Sequence, residues 1–416
     1  MRNLDKSISI NGLTLKNRLV MPPMVTSSAN DGEVSQRILD YYDKKTKGGY
    51  IGLVITEHSY IDIQGMANPK QMSVAKDSDI KGLKQLVNII HNNGSKAFAQ
   101  INHAGSMARG TGLPTVSASN TIPITMKESN IEIPEELSKE QIQYIVKRFA
   151  DAARRVKLAG FDGVEIHSAQ AYLLNHFYSP ITNHRTDEYG GSFENRYRFA
   201  VEIVKEIKKV CGQDFPVSLR YSVESKTKGF REGALPGESF TEAGRDMAES
   251  EKAAKYLQDA GYDMLNCDNG TYDAWYWAHP PIYMPENCNL EDVAHIRKFV
   301  DIPVVCAGRM DPETAAAAIA DGRIDGAGFA RQFLADQEWV TKLMNDKEDD
   351  IRPCILCHNG CFNMCHYKGV PNDQALSDSL HLARCAVNAE TMQWDKHYIK
   401  KAPSSKKVHI IGGGIG

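Results

Sequence analysis

Eight short apolar runs recur along this chain with stretches of helix length between them, and no other feature restricts its fold as strongly. The runs are Arg18–Met21, Gly52–Thr56, Ala97–Ile101, Gly163–His167, Val217–Tyr221, Met264–Cys267, Pro303–Ala307 and Gly326–Phe329. Each is too short for a buried helix, and regular alternation of strand with helix is the signature of βα units and a parallel sheet. Helices are predicted over Ile80–Asn92, Lys139–Ala159, Phe193–Val210, Ser250–Asp259, Glu291–Phe299 and Pro312–Ala320. Ser138-Lys-Glu-Gln141 opens the second of these as a capping box. Three local echoes, Ala159-Gly-Phe-Asp162, Ala260-Gly-Tyr-Asp263 and Asp321-Gly-Arg-Ile-Asp325, place glycine where a helix ends and a strand begins. Eight such units suit a closed α/β (β/α)8 TIM barrel better than an open doubly wound sheet.

In a barrel of this kind, chemistry collects at the C-terminal ends of the strands. Those ends carry Glu57 and His58, Gln100 and His103, His167 and Gln170, Arg220, Asp268, Arg309 and Arg331. Any one of them could be a satisfied structural hydrogen bond. Together they predict one polar mouth.

Four cysteines lie beyond the last strand. Cys354, Cys357 and Cys361 fall in Arg-Pro-Cys-Ile-Leu-Cys-His-Asn-Gly-Cys, whose short gaps let one loop turn three thiolates toward a common centre. A total of nine cysteines in 416 residues, with no apolar leader, argues against a disulfide framework and for a reducing, cytoplasmic setting. Zinc and an iron–sulfur cube both accept such a set, with Cys385, Cys365 or His366 as the fourth ligand. Cys211, Cys267, Cys288 and Cys306 read as small packing residues.

The barrel is predicted to occupy residues 1–346 and the cysteine segment 347–395. Residues 396–416 form a linker and then Lys407-Val-His-Ile-Ile-Gly-Gly-Gly-Ile-Gly416, an apolar strand running into a glycine-rich turn, as a dinucleotide-binding unit begins. That ending predicts that the chain is a piece of a longer protein. A formal charge of −3 and a charged fraction of 24% give no basic field for nucleic acid. No apolar run reaches membrane-spanning length.

Several motifs together resemble the Old Yellow Enzyme flavoproteins. They are Val20-Met-Pro-Pro-Met24, Gln100-Ile-Asn-His-Ala-Gly105, Gly163-Val-Glu-Ile-His167 continuing through Tyr172 to Pro180, and Asn183-His-Arg-Thr-Asp-Glu-Tyr-Gly-Gly-Ser192. With the cysteine segment and the glycine-rich turn, the chain resembles the multidomain branch that contains 2,4-dienoyl-CoA reductase and clostridial 2-enoate reductases. The resemblance implies FMN in the barrel mouth, a [4Fe-4S] cluster beside it, and FAD and NAD(P)H in a missing C-terminal part. It places Pro23, Met24, Val25 and His58 near the flavin, Gln100 on its pyrimidine edge and Arg220 near N1 and O2. It assigns the FMN phosphate to Gly308-Arg309 and Ala330-Arg331. It also favours Cys385 as the fourth cluster ligand, because Cys385-Ala-Val-Asn388 matches the family's closing Cys-x-Val-Asn.

The implied reaction is reduction of an activated C=C bond in a 2-enoate, enone or enoyl thioester. Tyr172 aligns with the family's proton donor and His167 with a carbonyl-binding donor. Gln170 stands where the partner of that histidine is usually His or Asn. Tyr272 falls where dienoyl-CoA reductases carry a catalytic histidine, and Trp275, Tyr276 and Trp277 are candidate pocket walls. Two rivals remain: oxidative demethylation of the trimethylamine dehydrogenase type, and a zinc-stapled barrel without catalysis. The expected partner is a small alkene; oligomeric state is unreadable from the residues, so a homo-oligomer stays open.

Overall fold

The computed structural model describes residues 3–121, 133–363 and 382–412 apart from 399, 401, 408 and 410. Eight parallel strands close into a barrel in sequential order. They are β1 (Leu19–Met21), β2 (Leu53–Tyr60), β3 (Lys96–Asn102), β4 (Gly163–His167), β5 (Val217–Ser222), β6 (Met264–Asp268), β7 (Val304–Ala307) and β8 (Gly326–Gly328). Every expected strand is present.

Strict alternation along the strands separates two environments. Ala97, Ala99 and Ile101 of β3, Val164 and Ile166 of β4, and Val217, Leu219 and Tyr221 of β5 belong to the large core between barrel and helices. The intervening residues face inward in layers. At the N-terminal end Val20, Leu53, Ile55, Phe98, Met264 and Val305 form one apolar cluster with Ile10 and Leu15 of a hairpin, Ile8–Ile10 paired with Leu13–Leu15. At about 1.5–3 kcal/mol for each fully buried large apolar side chain, that end is closed by packing and the polar residues are left to the other end.

Gly163 pairs directly with Phe98, and a Cβ there would lie 2.5 Å from the Phe98 ring. Gly163→Ala is therefore expected to lower stability by about 1–3 kcal/mol through overpacking. Urea unfolding monitored by tryptophan fluorescence reads the change; an unaltered midpoint would show that the ring moves aside at no cost.

Eight helices follow the strands: α1 (Gln36–Thr46), α2 (Ile80–Asn92), α3 (Lys139–Ala159), α4 (Phe193–Cys211), α5 (Met247–Ala260), α6 (Leu290–Ile296), α7 (Pro312–Ala320) and α8 (Trp339–Leu343). α1 and α8 add to the helices expected from periodicity. α1 buries Tyr41, Tyr42 and Lys45 on one face, a mixture that blurs an apolar stripe. The capping box of α3 is formed: Ser138 Oγ accepts from Gln141 N at 3.2 Å, and Gln141 Oε1 accepts from Ser138 N at 2.7 Å. Gly160, Gly261 and Gly322 end three helices at positive φ, as the local echoes predict. Among the described residues no helix is long and apolar enough to cross a membrane.

Candidate active site

A cavity of about 490 Å³ opens at the C-terminal ends of the strands. It brings together Pro23, Met24, Val25, His58, Gln100, His167, Gln170, Tyr172, Arg220, Tyr272, Trp275, Gly308, Arg309, Ala330 and Arg331, and Cys354 and Cys361 reach its rim. Of the expected pocket and mouth residues, Glu57, His103, Asp268, Tyr276 and Trp277 are not in its lining, and Tyr276 packs on the cluster of Ala274, Trp277 and Met284. Trp277 has its own reason. It is buried away from the cavity, its indole N–H bonded to Ala234 O at 2.7 Å, and so is a packing residue.

The inner wall, where Gln100, His167 and Arg220 face the cavity, is backed by a charged network built by strand register. Gln100 pairs with Glu165 and Glu165 with Ser218, while His167 pairs with Arg220 and Arg220 with Asn266. Side chains at paired positions share a face, so the two sets form successive inward layers. Glu165 accepts from Gln100 Nε2 at 2.8 Å, Ser218 Oγ at 3.0 Å and Asn266 Nδ2 at 3.0 Å. The amide of Gln100 is thereby oriented, with its Oε1 left to accept from a ligand N–H. Arg220 donates to Asn266 Oδ1 at 2.9 Å and forms an ion pair with Asp268. Burial pushes the Asp268 carboxyl up to about 6, although the Arg220 guanidinium pulls it down. Among the described residues its Oδ1 accepts from nothing.

At the adjoining wall the rings crowd together. Tyr172 packs edge-on to His167 at 4.5 Å between centroids, to His58 at 5.6 Å and to Tyr272 at 6.0 Å. His167 Nδ1 accepts from Ala169 N at 3.4 Å, which leaves Nε2 toward the cavity as the ring position for a donor. Burial first, then the charges of His58, Arg220 and His279, holds that ring well below the usual histidine range. A shift of register between Thr56 and Ser59 in β2 re-aims the strand end. His58 consequently lines the cavity, while Glu57 turns away to accept from Thr26 N and Oγ1, each at 2.7 Å. Gln71 takes a hydrogen bond from Ala67 N on Oε1, and its Nε2 lies 2.6 Å from His58 Nδ1 and 2.7 Å from Asn102 Oδ1, which holds the His58 ring in place.

Gln170 and Ala171 both have φ in the left-handed region, 58° and 60°. Non-glycine residues held there cost roughly 1–3 kcal/mol each, and such strain clusters at functional sites. The turn sets Tyr172 at the head of the short helix Leu173–Tyr178 and lets Gln170 Nε2 donate to Asp268 at 2.9 Å. Tyr272 is hydrogen-bonded to Tyr172, and burial pushes its phenol well above the usual range.

On the far rim Gly308 and Arg309 follow β7 with φ of 122° and 52°. Arg309 donates through Nη1 to the carbonyls of Ile282 and Met284, while its Nε is buried without a partner among the described residues. Such an orphaned donor beside a glycine turn fits an anion, and the expected flavin phosphate is one. Arg331 donates to Pro280 O at 2.7 Å and to His358 Nε2, and burial holds that imidazole down at about 4.

Cys354, Cys357, Cys361 and Cys385 line a second, small hollow of about 20 Å³. Cys385 reaches it because its backbone rests on Gly360, where a Cβ would lie 2.9 Å from the Cys385 Cα, and Arg384 N donates to Gly360 O at 2.9 Å. Burial pushes the Cys361 thiol up to about 11, with Cys354 and Cys385 adding to the rise. Four soft donors around one hollow fit a metal centre, although among the described residues no three His, Cys, Asp or Glu groups are arranged to hold a single ion. Cys365, His366 and the end of the glycine-rich turn lie outside the described residues.

Barrel, mouth and cysteine loop can now be compared with known proteins. Residues 3–350 match the NADH:flavin oxidoreductase / NADH oxidase family. The chain belongs to that family. The family implies FMN, and the chain is 40% identical over 424 residues to the cinnamate reductase of Clostridium sporogenes, covering 98% of this chain and 61% of that one. It is 36% identical over 419 residues to the NADH oxidase of Thermoanaerobacter brockii, covering 99% of this chain and 60% of the relative. The solved complex of 2-naphthoyl-CoA reductase with 2-naphthoyl-CoA superposes on it with a TM-score of 0.82 at 27% identity, over 95% of this chain and 58% of that one. The chain thus spans about three fifths of the length of the curated relatives it matches.

Two residues, Phe362 in the lining of the mouth and Glu165 behind it, lie outside the sequence motifs' candidates. Phe362 packs on Trp275 at 4.7 Å and on His279 at 5.2 Å, joining the cysteine segment to the cavity rim. No local pattern marks it. Glu165 was detectable in principle, as a carboxylate in the middle of an otherwise apolar strand.

Proposed function

We propose that this protein is an ene-reductase that binds FMN in the barrel mouth and reduces the C=C bond of α,β-unsaturated carbonyl compounds. The observation that carries the reading is the edge-on packing of His167 and Tyr172, 4.5 Å between ring centroids, in the wall of the cavity. Bound there, FMN supplies the hydride for the β-carbon. His167 Nε2–H donates to the substrate carbonyl oxygen as enolate charge develops on it. Tyr172 gives its phenolic proton to the α-carbon, and the hydrogen-bonded Tyr272 orients and resupplies it. Gln170 and Trp275 form the wall of the substrate space.

Gln100 would accept from the flavin pyrimidine edge, Arg220 would supply positive charge to the reduced ring, and the Pro23-Met24-Val25 backbone would hold the ring. Arg309, Arg331 and the turns at Gly308 and Ala330 would hold the phosphate. Cys354, Cys357, Cys361 and Cys385 would hold a [4Fe-4S] cluster, whose one-electron chemistry would suit a relay from NAD(P)H and FAD. Similarity to the cinnamate reductase and to 2-naphthoyl-CoA reductase supports aryl acrylates and aromatic acyl thioesters as the first classes to test, with small enoates and enones next.

The test is anaerobic. Protein purified without oxygen is expected to carry FMN, iron and acid-labile sulfide; one zinc and no iron would remove the cluster from the proposal. After dithionite reduction, cinnamate, acrylate, an enoyl thioester and an enone are each mixed in, and at least one should reoxidise the flavin stoichiometrically. Reduction of the oxidised flavin by an amine, with every alkene inert, would replace ene reduction by oxidative demethylation.

A further inference from the structure

The loop that carries Cys354, Cys357 and Cys361 also walls the main cavity, where Leu356, His358 and Phe362 stand with Arg309 and Arg331. It is tied to the end of β8. Gln332, the residue after Arg331, accepts from Cys354 N on Oε1 and donates from Nε2 to Arg352 O, each at 2.9 Å. Within the loop, Asn363 N donates to His358 O at 2.9 Å, and the His358 ring packs on Phe362 at 5.5 Å between centroids. Leu356 and His358, on either side of Cys357, have φ of 57° and 58°. Non-glycine residues seldom adopt that conformation, and those that do cluster at ligand clamps and active sites. Here the turn brings the His358 imidazole to Arg331.

That contact has a definite chemistry. A guanidinium has only N–H donors, so His358 Nε2, 2.5 Å from Arg331 Nη1, stands as the acceptor, a role that only an uncharged imidazole offers. Arg331 Nη2 donates to Pro280 O at 2.7 Å. Both partners are neutral, and among the described residues no carboxylate pairs with Arg331. The other two arginines of the mouth differ: Arg220 is paired with Asp268, and Arg309 lies 3.5 Å from Glu286. Two neutral acceptors fix the planar fork of Arg331 and leave its full charge to an anionic ligand.

We propose that His358 is a positioning residue for the flavin phosphate, reaching out of the cysteine loop to hold the Arg331 guanidinium in the orientation that binds it. The inference rests on the reading of the turns at Arg309 and Arg331 as the FMN phosphate site. His358 acts through Arg331 and on no reacting atom. One loop then serves both centres, since the segment that presents the thiols also sets the grip on the phosphate.

The experiment compares FMN with riboflavin, which has the same ring system and no phosphate. The full chain, freed of flavin, is titrated with each, and binding is read from the quenching of flavin fluorescence. The parent is expected to prefer FMN. His358→Leu should bind FMN about tenfold more weakly, the order for one hydrogen bond to a charged group, with its riboflavin affinity in place. His358→Gln, whose side-chain oxygen reaches the position of Nε2, should restore most of the loss. In an Arg331→Met background His358→Leu should cost nothing further, because the group through which it acts is gone. A His358→Leu protein with the parent's FMN affinity, or one weakened equally for both ligands, overturns the proposal, as does a full additional loss in the Arg331→Met background. Should His358→Leu fail to fold, the shorter His358→Asn takes its place: loss of FMN preference in His358→Asn but not in His358→Gln supports the proposal, and equal behaviour of the two overturns it. A parent that binds riboflavin as tightly as FMN defeats the phosphate reading and this inference with it, and that failure is distinct because it appears before any substitution is made.

Discussion

Tyr172→Phe is expected to slow reoxidation of the reduced flavin by alkene by about 10²–10⁴-fold, the range that a positioned general acid contributes. Flavin content, dithionite reduction and melting temperature should hardly move. The ring's packing against His167, His58 and Tyr272 involves its faces and edges, and phenylalanine keeps those contacts. Only the proton is removed. Tyr272→Phe provides the comparison: its phenol is hydrogen-bonded to that of Tyr172, so losing it should cost less than losing Tyr172 itself. Stopped-flow reoxidation of pre-reduced protein separates the two. An unchanged rate in Tyr172→Phe would exclude it as the acid, and a larger loss in Tyr272→Phe would transfer that role to Tyr272.

Arg220→Met should have the largest effect on the fold. Arg220 pairs with Asp268 and attracts Glu165, and both carboxylates are fully buried. Removing one partner of a buried pair leaves an uncompensated charge and costs about 3–5 kcal/mol, whereas methionine preserves most of the volume. The pH dependence has a definite sign. Burial already raises the Asp268 carboxyl to about 6 in the folded protein, above its unfolded value, and loss of Arg220 raises it further. A carboxyl that binds its proton more tightly when folded adds no penalty below its unfolded value, and destabilises increasingly as pH climbs through the folded one. The deficit of Arg220→Met against the parent should therefore be smaller near about pH 5 than near about pH 8. Urea unfolding at both values checks it; a deficit independent of pH would place the cost in packing and not in the carboxylates. The variant should also bind FMN weakly, which flavin release on gel filtration would show.

The strands, the helix caps and the glycine turns were readable from the chain because each depends on residues a few positions apart. The Ser138–Gln141 box and the left-handed Gly160 and Gly261 are of this kind. Motif spacing also carried the mouth residues from Pro23 to Arg331 to one cavity. Side-chain aim was not readable in the same way. Trp275 and Trp277 sit two residues apart in one aromatic run, yet the first lines the cavity and the second is drawn to Ala234 O behind it. Alternation alone would send Glu57 inward after Leu53 and Ile55, and the shift of register in β2 sends His58 there in its place.

By itself the sequence determined the repeating βα order, the polar strand ends, the family motifs and the presence of a four-cysteine set, since period, turn chemistry and ligand spacing are local properties. Only the tertiary structure decided which groups are buried together. Closure of the barrel stacks Gln100, Glu165 and Ser218 and then His167, Arg220 and Asn266 into charged layers. Docking of the stretch after Cys385 onto α1 buries Lys45 between the rings of Tyr41 and Trp394. Burial and electrostatic pairing depend on residues far apart in the chain, and they exist only after the fold has removed the intervening water.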